Sequence, residues 1–173
     1  MKSPLTKLFL GLCMAFSMCS FAQNNVPRAK TIDSEHHKIL LEAVKVTEME
    51  EILEKSGPFT IFAPSDAAFE RFSTEKIKEL LNSKDKSALK SLLTYHIVAG
   101  HLTASRILRA MCRGNGKASF TTIQGKKLLA HMDGYDIVLT DPIGNTARIT
   151  SADLNLKNGV VHEIDSVILP TQM

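Results

Sequence analysis

Two periodicities divide the chain. Between residues 34 and 110 the apolar residues recur at helical spacing, and beyond about 118 they come in short, strand-like runs broken by turns. Ser34 is placed to cap a first helix carrying Ile39, Leu40, Ala43 and Val44. Thr47 and Glu50 have capping-box spacing and predict a second short helix with Ile52 and Leu53, stopped by "SGP" at 56–58. "FTIFA" at 59–63 predicts a strand. "PSDAAFERF" follows, with Ser65 or Asp66 set to cap a short helix. Further helices are predicted around 75–82 and 86–96. Asp85 precedes the second of these, and Leu89, Leu92, Leu93 and His96 share one side of it. Thr103 begins another, with Ile107 and Leu108.

The second texture consists of "ASFTTI", "KKLLAHM", "DIVLT" and "TARIT", separated by turns containing Gly, Asp or Pro. "NG" at 158–159 precedes "VVHEI", and "SVILP" ends the patterned region. No flexible linker or internal repeat interrupts it. Mostly helical at first and strand-rich later, the chain predicts a single α+β domain over residues 34–171.

The start of the chain fits neither texture. Lys2 and Lys7 form a basic end, an apolar run extends from Leu8 to about Met18, and Ser20 and Ala22 make a small-residue exit. This predicts a signal peptide over residues 1–22, cut between Ala22 and Gln23, then a flexible leader over 23–33. The run falls short of the roughly 17–25 residues that span a bilayer, so no membrane span is expected in the mature chain. A buried amphipathic helix and a lipoprotein signal at Cys19 are the competing readings. The residues before Cys19, "AFSM", fit the small-residue lipid-attachment pattern poorly.

Composition adds mainly exclusions. A hydrophobic share of 44% and a charged share of 23% suit a folded soluble domain. Without residues 1–22, 19 basic residues face 18 acidic ones, a balance that offers no net attraction to nucleic acid or an anionic membrane. Trp is absent and Tyr occurs twice, so there is no basic–aromatic ladder either. Cys13 and Cys19 leave with the signal, and Cys112 alone cannot form an internal disulfide. Arg109 and Arg113 flank it and favour a thiolate. A small hydrophobic role is the stronger reading.

Candidate chemistry is thin. His36 and His37 are adjacent, and there is no HExxH or GxSxG motif. A metal site drawn from His96, His101, His131, His162, Tyr95 and Asp66 is conceivable only through distant segments. A haem would need more than one histidine on an apolar face. Asp66, Glu70 and His96 form an acid–base set on paper. Against it stands a structural reading: Asp66 as a helix cap, Glu70 in water and His96 in a buried hydrogen-bond network. No enzymatic activity and no cofactor are expected. "RGNGK" at 113–117 lacks a phosphate-loop pattern and predicts a solvated turn, with contact to an acidic glycan or partner as the sharper alternative.

Three ordered blocks carry a resemblance. "FTIFAPSDAAFERF" at 59–72, "LLTYHIVAG" at 92–100 and "NGVVHEIDSVILP" at 158–170 resemble the characteristic blocks of the fasciclin-like FAS1 domain family. The matching positions are Thr60, Phe62, Ala63, Pro64, Asp66 and Phe69, then Tyr95, His96 and Gly100, then Asn158, Gly159, His162, Asp165 and Pro170. The resemblance implies a FAS1 fold, a wedge-like β-sheet core with several surrounding short helices. It also implies a secreted, periplasmic or cell-surface location and a non-enzymatic adhesion or binding role toward a protein or glycan. A small-molecule-binding protein and a self-associating homo-oligomer are the alternatives. Asp66, Tyr95, His96 and His162 are the candidate structural or recognition residues. Tyr–His regions of some adhesive relatives have been linked to receptor recognition, whereas the helix register here favours anchoring. Val160, His162 and Ile164 share one strand face, which makes His162 a candidate buried polar anchor. The chain has no RGD tripeptide.

Overall fold

The computed structural model describes residues 35–170. The expected signal peptide, the leader and the Ser34 cap lie outside the described residues.

Helix α1 spans Lys38–Val46 and buries Leu40 and Ala43. Helix α2, Glu50–Lys55, is one and a half turns long and buries none of its residues. The expected Thr47–Glu50 capping box does not form. Thr47 keeps helical backbone angles (φ −98°, ψ 0°), and its hydroxyl donates back to the carbonyls of Ala43 and Val44 at 2.7 and 3.1 Å. An N-cap needs an extended backbone, so Thr47 closes α1 instead of opening α2.

Strand β1 covers Phe59–Pro64, and helix α3 covers Asp66–Asn82. The two short helices predicted here meet at Ser73, whose extended backbone (φ 174°, ψ 115°) interrupts α3. The Ser73 hydroxyl accepts the Lys76 N–H at 3.3 Å and caps the second half. Helix α4, Ser87–Tyr95, opens with the Asp85 carboxylate accepting the Ser87 N–H at 2.8 Å. Strand β2, Ile97–Ala99, falls between the helices predicted at 86–96 and from Thr103, in a stretch to which the sequence pattern assigned no element. Helix α5, Ala104–Arg113, is capped by Thr103, as expected.

The remaining elements are strands: β3 (Lys117–Thr121), β4 (Lys127–Asp133), β5 (Asp136–Thr140), β6 (Thr146–Leu156) and β7 (Gly159–Ile164). They form one sheet with β1 and β2, in the order β2-β1-β7-β6-β5-β4-β3. Among the described residues only the β1–β7 pair is parallel. The sheet curls until its edges touch. Val98 bridges Thr122, and the Ile123 N–H reaches the Ile97 carbonyl at 2.8 Å. This contact protects part of both edge strands.

Side-chain alternation on the central strands supplies two cores. Ala63 and Val161 join the core under α1, α3 and α4, with Phe69, Leu89 and Leu92. Phe62 and Ile164 face the inside of the curl, with Leu128 and Leu139, where Ile107 and Met111 of α5 close the opening. "SVILP" adds no strand. Val167, Ile168 and Leu169 are nevertheless buried, so their backbone groups need partners outside the ladder.

Candidate functional site

The Tyr95–His96 pair sits at the exit of α4, and both residues are buried. The Tyr95 hydroxyl donates to the Lys127 carbonyl at 2.8 Å. Burial, helped by the charge of Asp141, pushes its pKa up. His96 Nδ1 meets the Leu92 carbonyl at 2.8 Å, and Nε2 meets the Ile168 N–H at 3.3 Å. These partners assign a neutral ring with its proton on Nδ1. Burial drives the His96 pKa down to about 4 against opposing pulls from the Leu92 carbonyl and Asp141. His96 thus satisfies one of the orphan donors of the buried C-terminal segment.

His162 repeats the arrangement from β7. Its Nε2 meets the Leu102 carbonyl at 2.7 Å, its Nδ1 accepts the Asp153 N–H at 3.3 Å, and its ring stacks on Phe62 with centroids 5.7 Å apart. Burial lowers its pKa as well. Neither His96 nor His162 has a ring nitrogen left over for a metal or haem iron. Among the described residues no group of three or more His, Cys, Asp and Glu side chains converges to hold a metal ion.

Asp66 caps a helix, but not the one it begins. Ser65 accepts the Ala68 N–H at 3.3 Å and caps α3. The Asp66 carboxylate takes the N–H groups of Lys38 and Ile39 at 3.1 and 2.9 Å, at the start of α1. Glu70 is exposed, so the paper set of Asp66, Glu70 and His96 is not an acid–base site. Cys112 is exposed on α5 and does not fill a core position.

Sequence reasoning missed Asp141. Only 3% exposed, it accepts the N–H groups of Ile143, Asn145 and Leu169 at 3.1, 2.8 and 2.9 Å, and the Asn145 amide at 2.8 Å. The local half of that pattern was available in "DPIGN", a turn in which Asp bonds the backbone just ahead of it. The bond to Leu169 was not.

Several clefts remain open to a ligand, and the most apolar of them, about 300 Å³, lies between α1, α2, the end of α4 and the β1–β7 pair. That volume lies at the small end of ligand pockets, which run from roughly 300 to 1,000 Å³. Leu40, Val44, Met49, Leu53, Phe59 and Ile61 line it, and Glu50 and Glu54 give it an acidic margin. The apolar side chains arise because Phe59 and Ile61 point away from the curl that receives Phe62. Gly159 lets the strands meet beneath them. A Cβ there would stand 2.3 Å from the Phe59 carbonyl oxygen. Because α2 is short and unburied, it leaves Leu41 and Ile52 exposed at 39% and 45%. It is tied down from the β6–β7 turn, where the Asn158 amide donates to the carbonyls of Leu53, of Glu54 at 3.1 Å and of Ser56 at 3.3 Å.

The chain matches the family model described as "Fasciclin domain" over residues 35–170. It is 33% identical over 137 residues to Protein sll1483 of Synechocystis sp., covering 79% of this chain and 69% of that one. It is also 30% identical over 151 residues to the transforming growth factor-beta-induced protein ig-h3 of Sus scrofa, covering 87% of this chain and 20% of the relative. Among solved structures it resembles a FAS1 domain pair from the insect cell adhesion molecule Fasciclin I. The TM-score is 0.59 at 25% identity, over 76% of this chain and 44% of that one. This chain thus spans less than half of the solved pair.

Proposed function

The chain belongs to the fasciclin family, and from that premise we propose that it is an exported adhesion or binding module for a protein or glycan partner. Domains of this family are non-catalytic adhesion modules, and the chain is not an enzyme. Among the described residues no helix is long and apolar enough to cross a membrane. Export, to a secreted, periplasmic or surface-associated location, is part of the proposal and rests on the signal-like residues 1–22.

In this reading Tyr95, His96 and His162 are internal anchors, because backbone partners occupy their polar atoms. Partner contact then falls to the cleft. Its open apolar wall behind an acidic margin is the observation that carries the reading. It suits an apolar side chain or ring presented by a partner.

The test is a panel of purified envelope proteins and polysaccharides probed with the wild type and with Leu41→Asp and Glu54→Lys, two positions that line the cleft. Both sites are exposed, so the fold should survive. At least one panel member is expected to bind the wild type and to bind either variant about tenfold more weakly, a loss of about 1.4 kcal/mol. Binding that both variants leave intact would move the site elsewhere. The cleft volume also supports a second reading, retention of a small apolar molecule. Native mass spectrometry of the purified protein would show the bound mass, and its absence would oppose this second reading.

A further inference from the structure

The near-neutral charge of the domain conceals a sharp segregation. Residues 86–132 carry eight Lys and Arg and no Asp or Glu. The other residues between 35 and 170 carry nine Lys and Arg against 17 Asp and Glu. The fold keeps the basic segment together. It supplies α4, β2, α5, β3 and β4. Strand β3 pairs with β4, the Val98–Thr122 bridge joins β3 to β2, and α5 packs on β3 and β4. These five elements make one sector of the domain.

Seven of its eight cations point to water, while the half-buried Lys86 donates to the Leu81 carbonyl. Lys90, Arg106, Arg109, Arg113, Lys117, Lys126 and Lys127 are all exposed. On α5, Ile107 and Met111 face the core, while Arg106, Arg109 and Arg113 follow one another at spacings of three and four along a stretch of about 10 Å. Among the described residues no ion pair involves any cation of the sector. Arg106 donates to the His101 carbonyl at 2.7 Å and Lys127 to the Thr121 hydroxyl at 2.8 Å. Elsewhere the pattern reverses: Arg148 is held between Asp133 and Asp136 at 2.7 and 2.6 Å. Unbalanced like charges repel one another and do not help folding.

We propose that this sector binds an acidic polysaccharide, a polymer bearing repeated carboxylate or sulfate groups. Guanidinium forks match both groups in a bidentate manner, and a row of them suits a linear polyanion. A nucleic acid would call for exposed aromatic rings for its bases. Here Tyr95 is buried and Phe120 half-buried, and the exposed Tyr135 stands alone in the β4–β5 turn, beside Asp133 and Asp136, so no row of rings accompanies the cations. A membrane surface would call for an apolar helix face to insert, and α5 spends that face on the core. The exposed Leu108 and Ile123 stand on a helix and a loop, and Leu129 and Met132, three apart on β4, point to opposite faces of the strand, so the four make no common insertion face. The inference names the glycan class within the proposed binding role but uses a surface other than the acidic-margined cleft.

The experiment measures binding of the full chain to immobilised heparin and polygalacturonate, with dextran as the neutral blank and duplex DNA and phosphatidylglycerol vesicles as rivals. At least one acidic polysaccharide should bind, dextran should not, and affinity should fall tenfold or more between about 50 and about 200 mM salt. Arg109→Glu with Arg113→Glu should weaken binding by at least about tenfold at unchanged melting temperature. Arg109→Gln with Arg113→Gln should weaken it less, and it provides the reading if the first pair folds poorly. The matched pair Lys45→Glu with Lys78→Glu, on α1 and α3, should behave as the wild type, and so should Leu41→Asp. Failure of both polysaccharides at low salt would overturn the inference. Equal losses from both Glu pairs, or tighter binding to DNA or vesicles, would do so too. Loss of binding in Leu41→Asp would assign the glycan to the cleft instead.

Discussion

At the scale of single residues, the two buried histidines are better described by what they pair than by what they could catalyse. Each ring lies between one backbone acceptor and one backbone donor, and protonation would destroy the acceptor nitrogen. The linkage has a definite sign. An unfolded imidazole titrates near 6.5, above the folded His96 at about 4, so the unfolded chain binds the proton more readily between those values. The stabilisation is fully present above about pH 6.5 and is lost as the pH falls toward about 4. For His96 the loss is on the order of 3 kcal/mol, and the lowered pKa of His162 acts in the same direction. Urea unfolding midpoints should therefore drop across this window. His96→Gln, which keeps a donor and an acceptor but does not titrate, should flatten the drop at some cost near neutrality. A wild-type midpoint constant from pH 7 to about pH 4 would refute this account. The inward aim of His96 was legible from its register with Leu89, Leu92 and Leu93. Its partner Ile168 was not, because the two residues are 72 positions apart.

At the scale of elements, the helices that border the cleft are finished by side chains from far along the chain. Asp66 completes the start of α1, and Asn158 completes the end of α2. Local capping rules found Ser65, Asp85 and Thr103, whose N–H partners lie within three residues. They misassigned Thr47 and did not find Asp66 for α1, because that carboxylate lies 27 positions from the N–H it meets. Replacing Asp66 with Ala should cost about 1–2 kcal/mol. Hydrogen exchange should accelerate in α1 and leave α3 protected, whereas Ser65→Ala should loosen α3. Faster exchange confined to α3 in Asp66→Ala would show that the carboxylate serves its own helix.

At the scale of the whole molecule, β1 and β7 form a wall common to the two cores, with Ala63 and Val161 on one side and Phe62 and Ile164 on the other. Neither core can open without disturbing that wall. Heat should therefore unfold the domain in one transition, with calorimetric and van't Hoff enthalpies in agreement. Two resolved transitions would mean that the cores melt independently. The sequence by itself determined the α+β class, most of the helices and strands, and the likeness of its three blocks to fasciclin domains. Those features depend on periodicity and on neighbours a few positions apart, which a linear chain displays directly. Tertiary structure alone decided that Asp66 caps α1, that the edges of the sheet meet, that "SVILP" is buried without a strand, and that a cleft opens beside α2. It also turned a run of unpaired cations into one sector of the surface. Each of these depends on groups brought together by chain closure over tens of residues, and sequence spacing carries no record of that distance.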